Sequence, residues 1–193
     1  IGAVVLVVSV FLLPPLRSHL GTPRRTIADI VSLVKERNVQ LSFLMTAIVM
    51  SAGFVLIPNI ASYLQFNLGV PESHIKFAYL FGGIASFIAT QLGGRLVDRF
   101  GSFRVGTGGT LLVIGVIFFF FYLPRESLAS WLVFASFGGF MLAQGFRNVS
   151  YNTLTTKVPD PARRATFQSL QSAVQHAATS LAAFSSGLML TEI

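Results

Sequence analysis

The dominant pattern along this chain is the long apolar run. Hydrophobic residues crowd together at 1–16 and again at roughly 40–65, 75–94, 104–123, 128–152 and 166–190, with polar residues gathered between the runs. About twenty consecutive apolar residues span a bilayer core as α-helix, so the pattern predicts five complete spans and part of another. The first run lacks a basic leader and a small-residue cleavage site, and it ends at Pro14-Pro15 ahead of a basic loop. It therefore reads as the tail of a spanning helix rather than a signal peptide. Because the chain starts without Met and stops directly after an apolar run, it reads as a fragment of a longer protein.

Composition strengthens this picture. Of 193 residues, 53% are hydrophobic and 11% charged, whereas an ordinary soluble domain carries about 25% charged residues. A surface so poor in charge is one that lipid satisfies. With no cysteine in the chain, disulfides and thiolate metal sites are excluded.

The net charge of +7 raises nucleic acid as a partner, but the positions of the charges argue otherwise. Alternate connections hold Arg17, Arg24, Arg25, Lys35 and Arg37, then Arg95, Arg99 and Arg104, then Arg147, Lys157, Arg163 and Arg164; the other set holds only Lys76 and Arg125. Such a bias marks the cytoplasmic side of a multi-pass protein, so loops 17–39, 95–104 and 153–165 are expected there. The charge is thereby explained with no nucleic-acid partner.

In the longest loop, Ile27, Ile30, Val31 and Val34 recur at helical spacing, and Thr26 with Asp29 three residues on forms a capping pair. This predicts a short amphipathic helix, either a linker lying against the membrane interface or a regulatory, lipid-binding element. The chain then divides into 1–16, the end of a span; 17–39, a central loop; and 40–193, a bundle of spans.

Between the runs ending near 94 and starting near 104 stands Gly93-Gly94-Arg95-Leu96-Val97-Asp98-Arg99-Phe100-Gly101-Ser102-Phe103-Arg104. Gly94 and Gly101 suit a tight turn or close packing, and three arginines surround the Asp98 carboxylate. The stretch resembles the loop signature of the major facilitator superfamily, G-x-L-a-D-r-x-G-r-r/k. Gly94, Leu96, Asp98, Arg99 and Gly101 match in place, while Ser102 and Phe103 replace the basic pair and Arg104 supplies one late charge. Val158 to Phe167, with Pro159-Asp160-Pro161 and Arg163-Arg164, is similar to bacterial efflux members.

The resemblance implies an all-α polytopic membrane protein, the C-terminal six-helix bundle of that fold truncated to the end of helix six and helices seven to eleven. It also implies that Asp98 belongs to a cytoplasmic charge network holding the transporter open to the outside. Its helix-terminus partner would lie in the absent N-terminal half. Arg147 is the candidate partner within this chain, or else an arginine snorkelling to the interface.

No Asp or Glu falls inside a run, which leaves His176 as the intramembrane titratable group, a proton relay or a packing residue. On the last run Gln168, Gln171, Ser172, Gln175, Thr179 and Ser186 form one stripe, with His176 at its edge. Such a stripe lines a cavity or bonds helix to helix, since hydrocarbon offers amides no partner. Pro58-Asn59 predicts a kink in the 40–65 run, with Asn59, Tyr63 and Gln65 beside it. Gln144 and Asn148, and Tyr79 and Gln91, are further candidates for meeting a solute. The run around Phe118 to Phe121 looks lipid-facing, and Gly106, Gly108, Gly109, Gly82 and Gly83 offer close helix approach.

No catalytic triad, metal-ligand cluster or cofactor motif is present in the sequence. The expected function is secondary active transport of a small solute by alternating access, as proton-coupled efflux across a bacterial inner membrane. Proposed solute contacts are Asn59, Tyr63, Gln144, Gln168, Gln171, Gln175 and His176; the conformational switch is Gly94, Leu96, Asp98, Arg99, Gly101, Arg104 and Arg147. With no cation recognised at mid-depth, an uncharged or amphipathic solute is expected. The alternatives are a facilitator or importer, and a non-transporting sensor or scaffold of the same fold.

Overall fold

The computed structural model describes residues 26–122 and 130–191. The apolar run 1–16, Arg17, Arg24, Arg25 and Arg125 lie outside them. Six helices of nine residues or more build the described residues: α1 (Ile27–Lys35), α2 (Arg37–Phe54), α3 (Glu72–Phe100), α4 (Ser102–Tyr122), α5 (Ser130–Thr156) and α6 (Arg164–Thr191). Helices α3 to α6 coincide with four of the complete apolar runs, and α2 with the first part of the 40–65 run. Three segments are long and apolar enough to cross a membrane by composition alone: 37–67, 72–100 and 102–120. Helices α5 and α6 have the length, 27 and 28 residues, but carry more polar side chains, among them Gln144, Arg147, Ser150, Gln171 and Ser186, which their neighbours bury.

At the basic end the helices run past their apolar stretches. Residues 95–104 are not a loop: α3 continues through Arg95, Asp98 and Arg99 to Phe100, and α4 starts at Ser102. Charged side chains with long stems are compatible with helical backbone, and only Gly101, at φ +84°, breaks the two helices apart. Its N–H closes the last turn onto the Val97 carbonyl at 2.9 Å. The same effect brings α2 forward to Arg37 and shrinks the 153–165 connection to residues 157–160 plus a 3₁₀ turn, Pro161–Arg163. At φ +84° and ψ 150° the backbone is one that essentially only glycine adopts, so Gly101→Ala is expected to destabilise the protein by about 1–3 kcal/mol, read as a lowered unfolding midpoint in detergent.

Contacts fix the helix directions. Val39 and Phe43 of α2 pack on Phe167 of α6, Met50 on Ala178, and the Val55 carbonyl meets Ser186, so α2 and α6 run parallel. Gly82 faces Phe137, Ala89 faces Gly145 and Gly93 faces Val149, so α3 and α5 are also parallel. Helix α4 lies antiparallel to α5, with Gly106 against Ser150 and Gly109 against Arg147. Spans therefore alternate in direction, and Arg37, Arg95, Arg99, Arg104, Lys157, Arg163 and Arg164 collect at one end.

At that end Asp29 accepts bonds from the backbone N–H and hydroxyl of Thr26, both at 2.9 Å, the capping pair expected from sequence. Leu33 is the α1 residue that docks, against Val39 and Phe167, while Ile27, Val31 and Val34 stay exposed. Arg163 pairs with Glu36 and donates to Ser32 Oγ at 3.1 Å, fastening the α1–α2 joint to the start of α6.

Helix α5 is the shared element, enclosed between α3 and α4 and touching α2. Small residues permit this: Ala78, Gly82, Ala89 and Gly93 are buried along one face of α3. Gly83 and Gly108, also expected at interfaces, have open space beside them among the described residues. Hydroxyls inside the bundle bond the preceding turn of their own helix, as with Ser42 to Asn38 O, Thr46 to Ser42 O, Ser136 to Leu132 O and Ser150 to Phe146 O. On α4 the outward side chains Leu111, Leu112, Ile114, Phe118 and Phe119 are exposed, as a lipid-facing helix requires.

Candidate functional site

Pro58 has no N–H to donate and its ring crowds the preceding turn, and the helix breaks where it stands. Helix α2 ends at Phe54; a 3₁₀ turn covers Ile57–Asn59, one α-turn covers Ile60–Ser62, and a π-turn covers Tyr63–Asn67. The π-turn closes with Leu68 N–H on Tyr63 O at 3.2 Å. π-turns inside helices concentrate at functional positions. Near the break, Ser186 Oγ of α6 donates to the Val55 carbonyl at 2.6 Å and accepts from Asn59 Nδ2.

This broken segment walls a cavity of about 550 Å³. Leu56, Ile60 and Tyr63 line it from one side, Val116 and Phe120 of α4 and Phe140 of α5 from another, and the Asn59–Ser186 pair, with Ser62 and Asn67, gives polar spots in a mostly hydrocarbon surface. The Tyr63 ring lies 6.3 Å from that of Phe120. The size and mostly apolar lining are those of small-molecule sites in general.

A second, smaller cavity of about 100 Å³ lies deeper, between α2, α3 and α5. Gln144 and Arg147, three residues apart and so on one face of α5, both reach it and are 6% and 8% exposed. Arg147 Nη2 donates to the Val49 carbonyl of α2 at 3.0 Å. Arg147 Nε and Gln144 Oε1 are buried with no hydrogen-bond partner. Gly53 makes room for both: a Cβ there would sit 3.0 Å from Gln144 Nε2. Arg147 thus neither pairs with Asp98 nor snorkels to the interface, the two expectations from sequence. It lies about two and a half turns inside the end of α5, where its guanidinium donates to a main-chain carbonyl. The expectation that no cation sits at mid-depth is corrected by the same observation, since Arg147 is buried four residues from the middle of α5.

On α6 the polar stripe divides. Gln171 is buried and donates through Nε2 to Thr155 Oγ1 at 3.0 Å and Thr46 Oγ1 at 3.4 Å, tying α6 to α5 and α2. Gln175 and Thr179 are half-buried, while Gln168, Ser172 and His176 are exposed. At the basic end Asp98, Arg99 and Arg104 are exposed, Gly94 and Leu96 half-buried, and the Arg99 guanidinium lies 5.2 Å from the centre of the Phe100 ring. Among the described residues no ion pair joins Asp98 to a cation.

Residues 1–183 match the profile of the Major Facilitator Superfamily. The chain belongs to that superfamily. No curated protein and no solved structure matches it with significance. As a major facilitator it is a multi-pass membrane transporter, whose solute is a small molecule and whose surroundings are a lipid bilayer.

Of the solute contacts expected for this facilitator, the structure brings Asn59 and Tyr63 to the large cavity and Gln144 to the small one. Gln171 sits inside a three-helix joint instead. Gln171→Leu is therefore expected to lower stability by about 1–2 kcal/mol and to leave the order of preferred solutes unchanged, checked by unfolding midpoints beside competition flux assays. Tyr79 packs edge-on against Phe137 at 5.6 Å, and Gln91 is exposed. The sequence reading missed Gly53, Phe140 and the Val49 carbonyl. The spacing of Gln144 and Arg147 was a usable signal, since two polar residues three apart on an otherwise apolar helix share one face.

Proposed function

We propose that this chain is the C-terminal half of a secondary active transporter that exports a small solute in exchange for protons, by alternating access, across a bacterial inner membrane. The observation that carries the reading is the break in α2 beside the larger cavity. A span whose backbone is already unwound where it borders a cavity can bend there without losing a continuous helical ladder, and both parallel pairs, α2 with α6 and α3 with α5, can then tilt as units. The basic end is assigned to the cytoplasm by its arginines and lysines, with residues 17–39, 95–104 and 153–165 on that side. Carboxylates are missing from the interior of α2 to α6, so the titratable side chain these spans offer is His176.

The test uses the full-length protein in proteoliposomes under an imposed pH gradient. An antiporter drives solute against the proton flow; flux indifferent to the gradient reduces the reading to a facilitator, and no flux for any of a broad solute panel defeats it. Pro58→Ala restores the missing N–H and favours a continuous α2. It is expected to slow flux severalfold in protein that still folds, as judged by size-exclusion profile.

A further inference from the structure

The deeper cavity holds a guanidinium that these helices leave without a carboxylate. Arginine keeps its charge under all ordinary conditions, and an ionised group out of water requires a counter-charge or a full set of hydrogen bonds. Arg147 has one described bond, to a main-chain carbonyl. Two orphaned atoms beside it differ in sense: Arg147 Nε–H is a donor, Gln144 Oε1 an acceptor. Both side chains are more than nine-tenths buried. A molecule that satisfies both presents an acceptor and, next to it, a donor; water does this, but only an anionic acceptor also answers the permanent guanidinium charge.

We propose that the Gln144–Arg147 cavity binds a small 2-hydroxy carboxylate, its carboxylate on the Arg147 guanidinium and its hydroxyl donating to Gln144 Oε1. The space, about 100 Å³, equals roughly three waters of liquid volume, enough for a carboxylate and a short carbon chain. Met50, Ile57 and Met141 border it and suit the carbons. Chloride supplies an acceptor only and would leave Gln144 Oε1 unpaired; hydrogen phosphate, which keeps an O–H at neutral pH, has no carbon to set against Met50, Ile57 and Met141. As the solute of the transporter, this acid depends on the transport reading above; as a bound ligand it does not.

The experiment is thermal unfolding of the full-length protein in detergent, titrated with lactate, propionate and lactamide. Lactate should raise the midpoint saturably. Propionate, lacking the hydroxyl, should bind roughly five- to tenfold more weakly, the loss of one hydrogen bond, and lactamide should give no shift. Arg147→Met should abolish the lactate shift, and Arg147→Lys should weaken it. Gln144→Leu should make lactate and propionate equal. Lactamide matching lactate, no shift from any of the three, or a lactate preference surviving in Gln144→Leu would each overturn the proposal, and the last holds even where Arg147→Met does not fold. Lactate counterflow in proteoliposomes separates the two readings. Binding without counterflow leaves the site and removes its transport role; flux of neutral solutes without lactate binding does the reverse.

Discussion

Asp98→Asn is expected to slow solute flux by roughly ten- to a hundredfold while the protein remains as stable as the parent. Asp98 lies two residues before the end of α3, close to the negative pole of the helix dipole, where an acidic side chain is unfavourable by about 0.3–1 kcal/mol. It is exposed and makes no ion pair among the described residues. Its carboxylate therefore contributes nothing to holding this bundle together, and asparagine of the same shape should be harmless or slightly favourable to stability. The effect must arise in a state where the carboxylate meets a donor beyond the described residues. A charge-assisted hydrogen bond is worth about 1.5–3 kcal/mol, which sets the range of rate loss. Counterflow rates with parallel unfolding midpoints decide it: undiminished flux removes Asp98 from the switch, and a large drop in midpoint makes it a structural residue.

Gly145→Ala is expected to destabilise the protein by about 1–3 kcal/mol, with a matching fall in detergent-extracted yield. The added methyl would sit 2.5 Å from Ala89 Cβ on α3. Alanine has no rotamer with which to move aside, so the helices must separate. Because α5 is shared, that separation is transmitted to the Gln144–Arg147 cavity, and weaker lactate binding should accompany the loss of stability. The companion change Ala89→Gly removes the opposing methyl and should recover most of the loss in the double variant, a coupling that independent sites would not show. Gly145→Ala with an unaltered midpoint would contradict the close approach of α3 and α5.

The spans, their alternation and the capping pair at Thr26 and Asp29 were legible in the sequence because each rests on local chemistry: run length, charge placement and a three-residue spacing. The break at Pro58 was legible for the same reason. Loop lengths were not, since Arg95, Asp98 and Arg99 are polar yet helical, and only the positive φ of Gly101 marks the stop. The fate of buried polar residues was the hardest to read. Gln171 and Arg147 both stand on apolar helices, and whether such a group faces a cavity or a neighbouring backbone depends on Thr46, Thr155 and the Val49 carbonyl, 98 or more residues away for Thr46 and Val49. Membership of the superfamily was visible in the match of Gly94 through Gly101, although Gly94 is neither at positive φ nor crowded among the described residues.

The hydroxyls that bond their own preceding turn have a consequence for biogenesis. Helix α2 packs mainly on α6, which is synthesised more than a hundred residues later, and α3 likewise awaits α5. Until those partners emerge, each early span must rest in lipid with its polar side chains sealed. Ser42 and Thr46 are already sealed by carbonyls four residues back, so these two hydroxyls need not wait for assembly, whereas Ser51 and Asn59 of the same span meet their partners only on α6. Gln171 has no such local acceptor, but it arrives with the last described helix, when Thr46 and Thr155 are in place to receive it. For Ser42, Thr46 and Gln171 the order in which the ribosome delivers the helices thus matches the order in which their polar groups can be accommodated.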